Sequence, residues 1–229
     1  MNKKINSRSI VLHIATPFIV GAITCGILLL AAIKPVDKLK VYLNVAFMDD
    51  LKTDPDDEKS GLIIRDNKII SDYTGTTSDT GTFIRPRYGE MYAEIQCEKF
   101  SVVIPVYWGS DIQLLERGAC QSTGSVIAGD KGNSVISAHE DTFFADLSSL
   151  EKGDAITIRT NYGVFTYKVK EKIQFNKNDS KYVVPSKDTK LTLYTCKKNV
   201  LGSADERVGV ICELIEKKFY NSPAEDTAK

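Results

Sequence analysis

The sequence predicts a mainly β protein: a closed barrel with short helices, preceded by one N-terminal transmembrane helix. Three observations carry that expectation. From about residue 82 the chain breaks into short runs rich in β-branched and aromatic residues, divided by turn sequences such as Gly109-Ser110-Asp111, Gly129-Asp130-Lys131-Gly132-Asn133 and Asn161-Tyr162-Gly163. Only two short helical patterns interrupt these runs, at 112–117 and 142–150. An uncharged apolar stretch occupies 10–33. Many short strands with few helices suit a barrel, whose closure removes exposed edges.

The elements follow in order. Residues 1–9 form a basic tail with Lys3, Lys4 and Arg8. At about 1.5 Å per residue, the stretch 10–33 is long enough to cross a hydrocarbon core of about 30 Å. A cleaved signal peptide is the competing reading, but Ala31-Ala32-Ile33-Lys34-Pro35 offers a poor cleavage site. An uncleaved signal-anchor is therefore expected, with the basic tail inside and the folded domain outside. His13, near the start of the span, is read as reaching the headgroup region rather than as a functional group. Residues 34–81 are expected to hold a juxtamembrane helix over 36–51, an acidic break at 54–61, a hairpin at 62–70 around Asp66-Asn67, and a Thr/Ser/Gly/Asp linker over 71–81. The barrel spans 82–217, with strands at 91–97, 100–108, 125–128, 134–138, 155–159, 163–173, 191–195 and 207–216. A polar tail, 218–229, follows.

Composition narrows the function. Lys plus Arg and Asp plus Glu are balanced at 30 each, and no basic stripe argues for nucleic acid. The five cysteines include no CxxC pair, so zinc and thioredoxin-like readings have no support. Cys25 falls inside the span. Cys97 and Cys212 lie in apolar runs and Cys120 follows a turn, and all three are read as structural. No cofactor or metal is expected. Glu140, Asp141 and Asp146 are read as solvated helix caps rather than cation ligands.

The chemistry concentrates at strand ends. Leu191-Thr192-Leu193-Tyr194-Thr195 reads as a strand that delivers Cys196, and Arg207 opens the next strand. The chain has two histidines, and with His13 in the apolar stretch, His139 is the imidazole left to partner a thiol. Val135-Ile136-Ser137-Ala138 places it at another strand end. A thiolate is a nucleophile, an imidazole moves protons, and a guanidinium stabilises an oxyanion without acting as a base. Lys197 and Lys198 would add positive potential beside the thiol. Singly, each residue has an ordinary structural reading; it is their conjunction at one barrel mouth that suggests acyl transfer.

Thr192-Leu193-Tyr194-Thr195-Cys196 resembles the Thr-Leu-x-Thr-Cys signature of sortases, the cysteine transpeptidases of Gram-positive cell surfaces. The segment from Ser137 through His139 to Phe144, with Leu147, Leu150 and Gly153-Asp154, is similar to the histidine segment of that family. Ile104-Pro105-Val106-Tyr107-Trp108-Gly109 is similar to its early strand pair. The resemblance runs from about Met91 to Ile215. It departs from the pattern at Ala138, where many relatives have glycine, and at Lys197-Lys198, where aromatic residues or proline are frequent.

The resemblance implies an eight-stranded barrel, with Cys196 as nucleophile, His139 as acid and base, and Arg207 as the oxyanion residue. It also implies that Thr195, Ala138 and Tyr194 contact the substrate. The expected substrate is a protein with an LPxTG-like sorting signal, cleaved between Thr and Gly and passed to a peptidoglycan amine. Thr142-Phe143-Phe144 looks most like class D. A class C pilin polymerase using a pilin lysine, a cysteine peptidase, and a non-catalytic surface protein on the same barrel are the alternatives. The expected location is the cell membrane of a Gram-positive bacterium, single-pass, with the barrel outside.

Overall fold

The last strand, β9 (Glu206–Tyr220), closes the molecule by pairing with β7 (Gly163–Asn176) on one side and with β8 (Lys190–Cys196) on the other. The computed structural model describes residues 16–17, 19–26, 62–70, 73–197 and 205–221. The other strands are β1 (Thr77–Ser78), β2 (Met91–Gln96), β3 (Ile104–Trp108), β4 (Ala119–Gln121), β5 (Asn133–Ser137) and β6 (Ala155–Thr160). Strands β9, β7, β6, β2, β3, β4, β5 and β8 are hydrogen-bonded in that order, and the β8–β9 pairing completes a ring of eight. Strand β1 sits outside the ring, paired with the end of β9. The pairs β3–β4 and β5–β8 are parallel and the rest antiparallel.

Side-chain alternation fills this ring. Along β7, Phe165, Tyr167 and Val169 are buried while the residues between them are not, the period-2 pattern of a sheet with one wet face. On β8 Leu191, Leu193 and Thr195 are buried and Tyr194 and Cys196 lie on the outer face, where Thr192 is also buried, donating to the Tyr182 carbonyl. Gly129 has φ +84°, and a Cβ there would fall within 2.2 Å of the Phe165 ring, so backbone conformation and packing both require glycine.

The strand directions define two poles. The upper pole gathers the ends of β2, β5, β7 and β8 and the starts of β3, β4, β6 and β9. The lower pole gathers their other ends. An aromatic cluster plugs the lower pole: Phe83 lies 5.8 Å from Tyr162 and 5.1 Å from Phe219, and Phe165 packs on Phe219 at 5.6 Å.

Residues 62–70 are not a hairpin. They form a strap in which Ile64 and Ile69 are buried against Met91, Tyr107, Leu114 and Cys120. Asp66 pins the strap, accepting from Tyr107 Oη at 2.5 Å and from Arg117 Nη1 at 3.1 Å. Helix α1 (Ile112–Arg117) matches the expected span, and Asp111 caps it by accepting from the Gln113 N–H at 3.0 Å.

Other expectations need correcting. Residues 125–128 are irregular rather than a strand: Ser125 Oγ donates to the Ser122 carbonyl and accepts from Gln121 Nε2, and Ser134 Oγ donates to the Ile127 carbonyl. The helix expected at 142–150 is a run of turns ending in one 3₁₀ turn, Leu147–Ser149. Phe143, Phe144, Leu147 and Leu150 are nonetheless buried from this run of turns.

The span expected at 10–33 and the juxtamembrane helix at 36–51 fall largely or wholly outside the described residues. Within the span, residues 16–17 and 19–26 are helical. Among the described residues no helix is long and apolar enough to cross a membrane.

Candidate active site

All three candidate residues belong to the upper pole. Cys196 ends β8 and Arg207 nearly opens β9, and the two are cross-strand partners in the antiparallel register. Parallel pairing of β5 with β8 puts Ser137 beside Tyr194, so the chain leaving β5 toward His139 runs beside the last residues before the cysteine.

One hydrogen bond ties these strand ends. Thr195 Oγ1 donates to the Ala138 carbonyl at 2.7 Å, with both residues buried. It therefore links the residue before the cysteine to the residue before the histidine. Thr195 and Ala138, both expected to touch substrate, touch each other.

The segment carrying His139 is anchored from beneath. The His139 carbonyl accepts from the Phe144 N–H at 3.0 Å, and Phe143, Phe144, Leu147 and Leu150 are buried beyond it. Ser101 Oγ donates to Asp146 Oδ2 at 3.0 Å, and Lys99 Nζ donates to the Ser149 carbonyl at 3.0 Å. His139 itself is exposed. The imidazole is thus presented to solvent from a backbone held by a packed core. Among the described residues no group of three or more His, Cys, Asp or Glu is arranged to hold a metal ion.

Arg207 Nη1 donates to the Glu206 carbonyl at 3.2 Å. The same carbonyl accepts from the Lys197 N–H at 2.9 Å. Lys197 does not stand as bare positive charge beside the thiol, because its Nζ lies 2.6 Å from Glu206 Oε2. That pairing holds the Glu206 carboxyl below the usual carboxylate range. The ion pair joins the residues immediately outside the Cys196–Arg207 pair. Glu206 went unnoticed in the sequence, although pairing Cys196 with Arg207 sets Lys197 opposite it. Lys198 lies outside the described residues.

A wall stands beside the outer face of β8. Asn133 Nδ2 donates to the carbonyls of Tyr182 at 3.0 Å and Val184 at 3.1 Å, and Thr192 Oγ1 donates to Asn133 Oδ1 at 2.8 Å. These bonds hold the 177–189 loop against the barrel. Tyr194 packs edge-on against Phe175 at 5.7 Å, which in turn meets Tyr182 at 5.4 Å. A separate cleft of about 460 Å³ at the upper pole is lined by Gln96, Glu98, Lys99 and Asp154, among others, and by none of the three candidate residues.

Two of the other barrel cysteines are not suited to catalysis. Cys120 and Cys212 are fully buried, and burial pushes both thiols up, Cys120 to about 12. Cys196 is half-buried.

The sortase domain model matches residues 95–215, more than half of the 229-residue chain. The chain belongs to the sortase family. It is 32% identical to sortase D of Bacillus subtilis over 113 residues, covering 49% of this chain and 57% of that protein. The fold is shared across sortase classes. A sortase D transpeptidase of Clostridium perfringens superposes with a TM-score of 0.53 at 24% identity, covering 58% of this chain and 83% of that one. Sortase A of Listeria monocytogenes gives a TM-score of 0.52 at 23% identity over 59% of this chain and 94% of that one. Sortase C of Clostridium perfringens gives 0.51 at 24% identity over 57% and 72%. These likenesses establish the barrel and leave the class and substrate of this sortase to its own residues.

Proposed function

We propose that this sortase is a membrane-anchored cysteine transpeptidase that cleaves an LPxTG-like sorting signal between Thr and Gly. The observation that carries the reading is the register of Cys196 with Arg207, together with the Thr195–Ala138 bond that brings the histidine segment alongside.

In the first step the Cys196 thiolate attacks the threonine carbonyl. Negative charge moves to the carbonyl oxygen, where the Arg207 guanidinium stabilises it. The C–N bond then breaks, and the glycine amine leaves with a proton from the His139 imidazolium. In the second step an incoming amine attacks the thioester, His139 takes its proton, and the C–S bond breaks to restore the thiolate. The peptide lies along the outer face of β8, past Tyr194, with the 177–189 loop as one wall. Thr195 and Ala138 act by positioning the backbones beneath the thiol and the imidazole.

The amine is that of a peptidoglycan precursor or cross-bridge, and the protein is fixed in a Gram-positive cell membrane by residues 10–33 with its barrel outside. The 32% identity to a sortase D supports a class D anchoring enzyme over a pilin polymerase. Full-length protein is incubated with a panel of sorting-signal peptides and an added amine, and products are read by mass spectrometry. The expected products are the free Gly-containing fragment and an amide of the Thr-terminated fragment. Cys196→Ala abolishes both; full turnover in that variant overturns the assignment. Hydrolysis with no amide product at any amine concentration makes the chain a peptidase.

A further inference from the structure

We propose that the lower pole of the barrel docks on the surface of a bilayer containing anionic lipid. The proposal rests on the anchoring by residues 10–33 given above, and adds an orientation to it.

Four large apolar side chains lie bare on residues that build this pole: Ile63 is 58% exposed, Ile84 59%, Tyr88 47% and Ile112 73%. Three of them are linked through adjoining glycines. The Tyr88 ring lies over Gly109, the Ile63 carbonyl lies against Gly89, and Ile112 opens α1 three residues past Gly109. Ile84 follows Phe83 of the aromatic plug. Exposed apolar groups gathered at one end of a barrel mark an interaction surface.

Charge decides which surface. Lys68, Arg85 and Arg87 are exposed on the same segments, and among the described residues no ion pair holds them. Three of the neighbouring acids are engaged, while Glu116, four residues past Ile112 on α1, is exposed. Asp66 binds Tyr107 and Arg117, Glu90 accepts from Asn67 and from the Arg87 N–H, and Asp111 caps α1. Asp79, beyond β1, is exposed. Basic residues interleaved with isoleucine and tyrosine suit an anionic lipid headgroup layer, where the cations meet phosphate and the apolar groups enter the boundary.

Thirteen residue steps along β9 separate Tyr220 from Arg207. At about 3.3 Å per residue and a barrel strand tilt of about 40°, docking at this pole holds the Cys196–Arg207 pair roughly 30–40 Å above the headgroups.

Trp108, the sole tryptophan of the chain, ends β3 at the lower pole and serves as the probe. Full-length protein is reconstituted into vesicles of mixed zwitterionic and anionic phospholipid, with and without a nitroxide on the headgroup. Docking predicts quenching of Trp108 that weakens with added salt. The paired change Arg85→Glu with Arg87→Glu, and separately Ile63→Ser with Ile112→Ser, each lose that quenching while melting temperature is kept. Resistance to an alkaline wash reports the anchor independently. Quenching without wash resistance keeps the docking and removes the anchor. An anchored protein with no quenching overturns the docking, whether a second copy or residues 34–61 cover the pole instead. Quenching unchanged by charge reversal also overturns it.

Discussion

Thr195 donates its hydroxyl to the Ala138 carbonyl at 2.7 Å, and the two residues immediately follow into Cys196 and His139. The bond spans two parallel strand ends that lie far apart in the chain, and it sets the separation of the proposed nucleophile from its proton carrier. Replacing Thr195 with Val keeps the shape but leaves a buried carbonyl unpaired. A stability loss of about 1–3 kcal/mol is expected from that unpaired acceptor. A loss of turnover on the order of ten-fold or more should accompany it, because small misplacements of reacting groups are costly. Thermal melts and single-turnover kinetics on the same preparation separate the two effects.

Arg207→Lys is expected to lose most turnover while binding of a sorting-signal peptide changes less. A lysine keeps the charge but presents a compact ammonium in place of the planar fork. Comparison of kcat with KM tests it: a rise in KM alone would move Arg207 from oxyanion stabilisation to simple substrate binding.

The barrel thiols should divide sharply under native labelling. Cys120 is pushed up to about 12 by burial and Cys212 is raised by the same cause, so neither carries thiolate at neutral pH. Peptide mass spectrometry after brief alkylation at neutral pH should find Cys196 modified and both of these untouched. The Cys196→Ala variant should show labelling at Cys120 and Cys212 only after denaturation.

Asp66 couples the strap to the barrel through two bonds, from buried Tyr107 and partly buried Arg117. Asp66→Asn should destabilise the protein by about 1–3 kcal/mol, since it removes the carboxylate to which Tyr107 and Arg117 both donate. Equilibrium unfolding measures this.

The Lys197–Glu206 pair makes a statement about pH. The Glu206 carboxyl is depressed, so whatever stability the pair adds is present above the ordinary carboxylate range and is lost as pH falls through the lowered value. Both side chains are well exposed, and solvent screening keeps the effect on melting small. NMR titration of Glu206 should show the low value in the parent and an ordinary one in Lys197→Ala.

Much of this is legible in the sequence. The β8 run and the spacing from Cys196 to Arg207 are local patterns, and so is α1, whose Asp111 cap and six-residue length follow from near neighbours. The segments that misled have their structure set from a distance. Strand β4 is three residues long and exists because β3 and β5 pair with it on either side. The strap at 62–70 carries an Asp-Asn pair that reads as a turn, yet Asp66 is held by Tyr107 and Arg117, more than forty residues away. Lys197 looked like bare charge because its partner, Glu206, comes into view only once the strands are in register. The Thr195–Ala138 bond left no local trace at all.

The parallel pairing of β5 with β8 carries a last consequence, for when the protein becomes reactive. A parallel partner cannot be reached by a tight turn, so the strand ends that lead into His139 and Cys196 come alongside only after the chain between them has gone out and come back through β6 and β7. Arg207 then arrives on the strand that seals the ring. Contacts of such long sequence separation form late and cooperatively. A partly folded chain therefore holds a thiol, an imidazole and a guanidinium as three unrelated side chains. On the proposed function, acyl-transfer competence comes only with barrel closure.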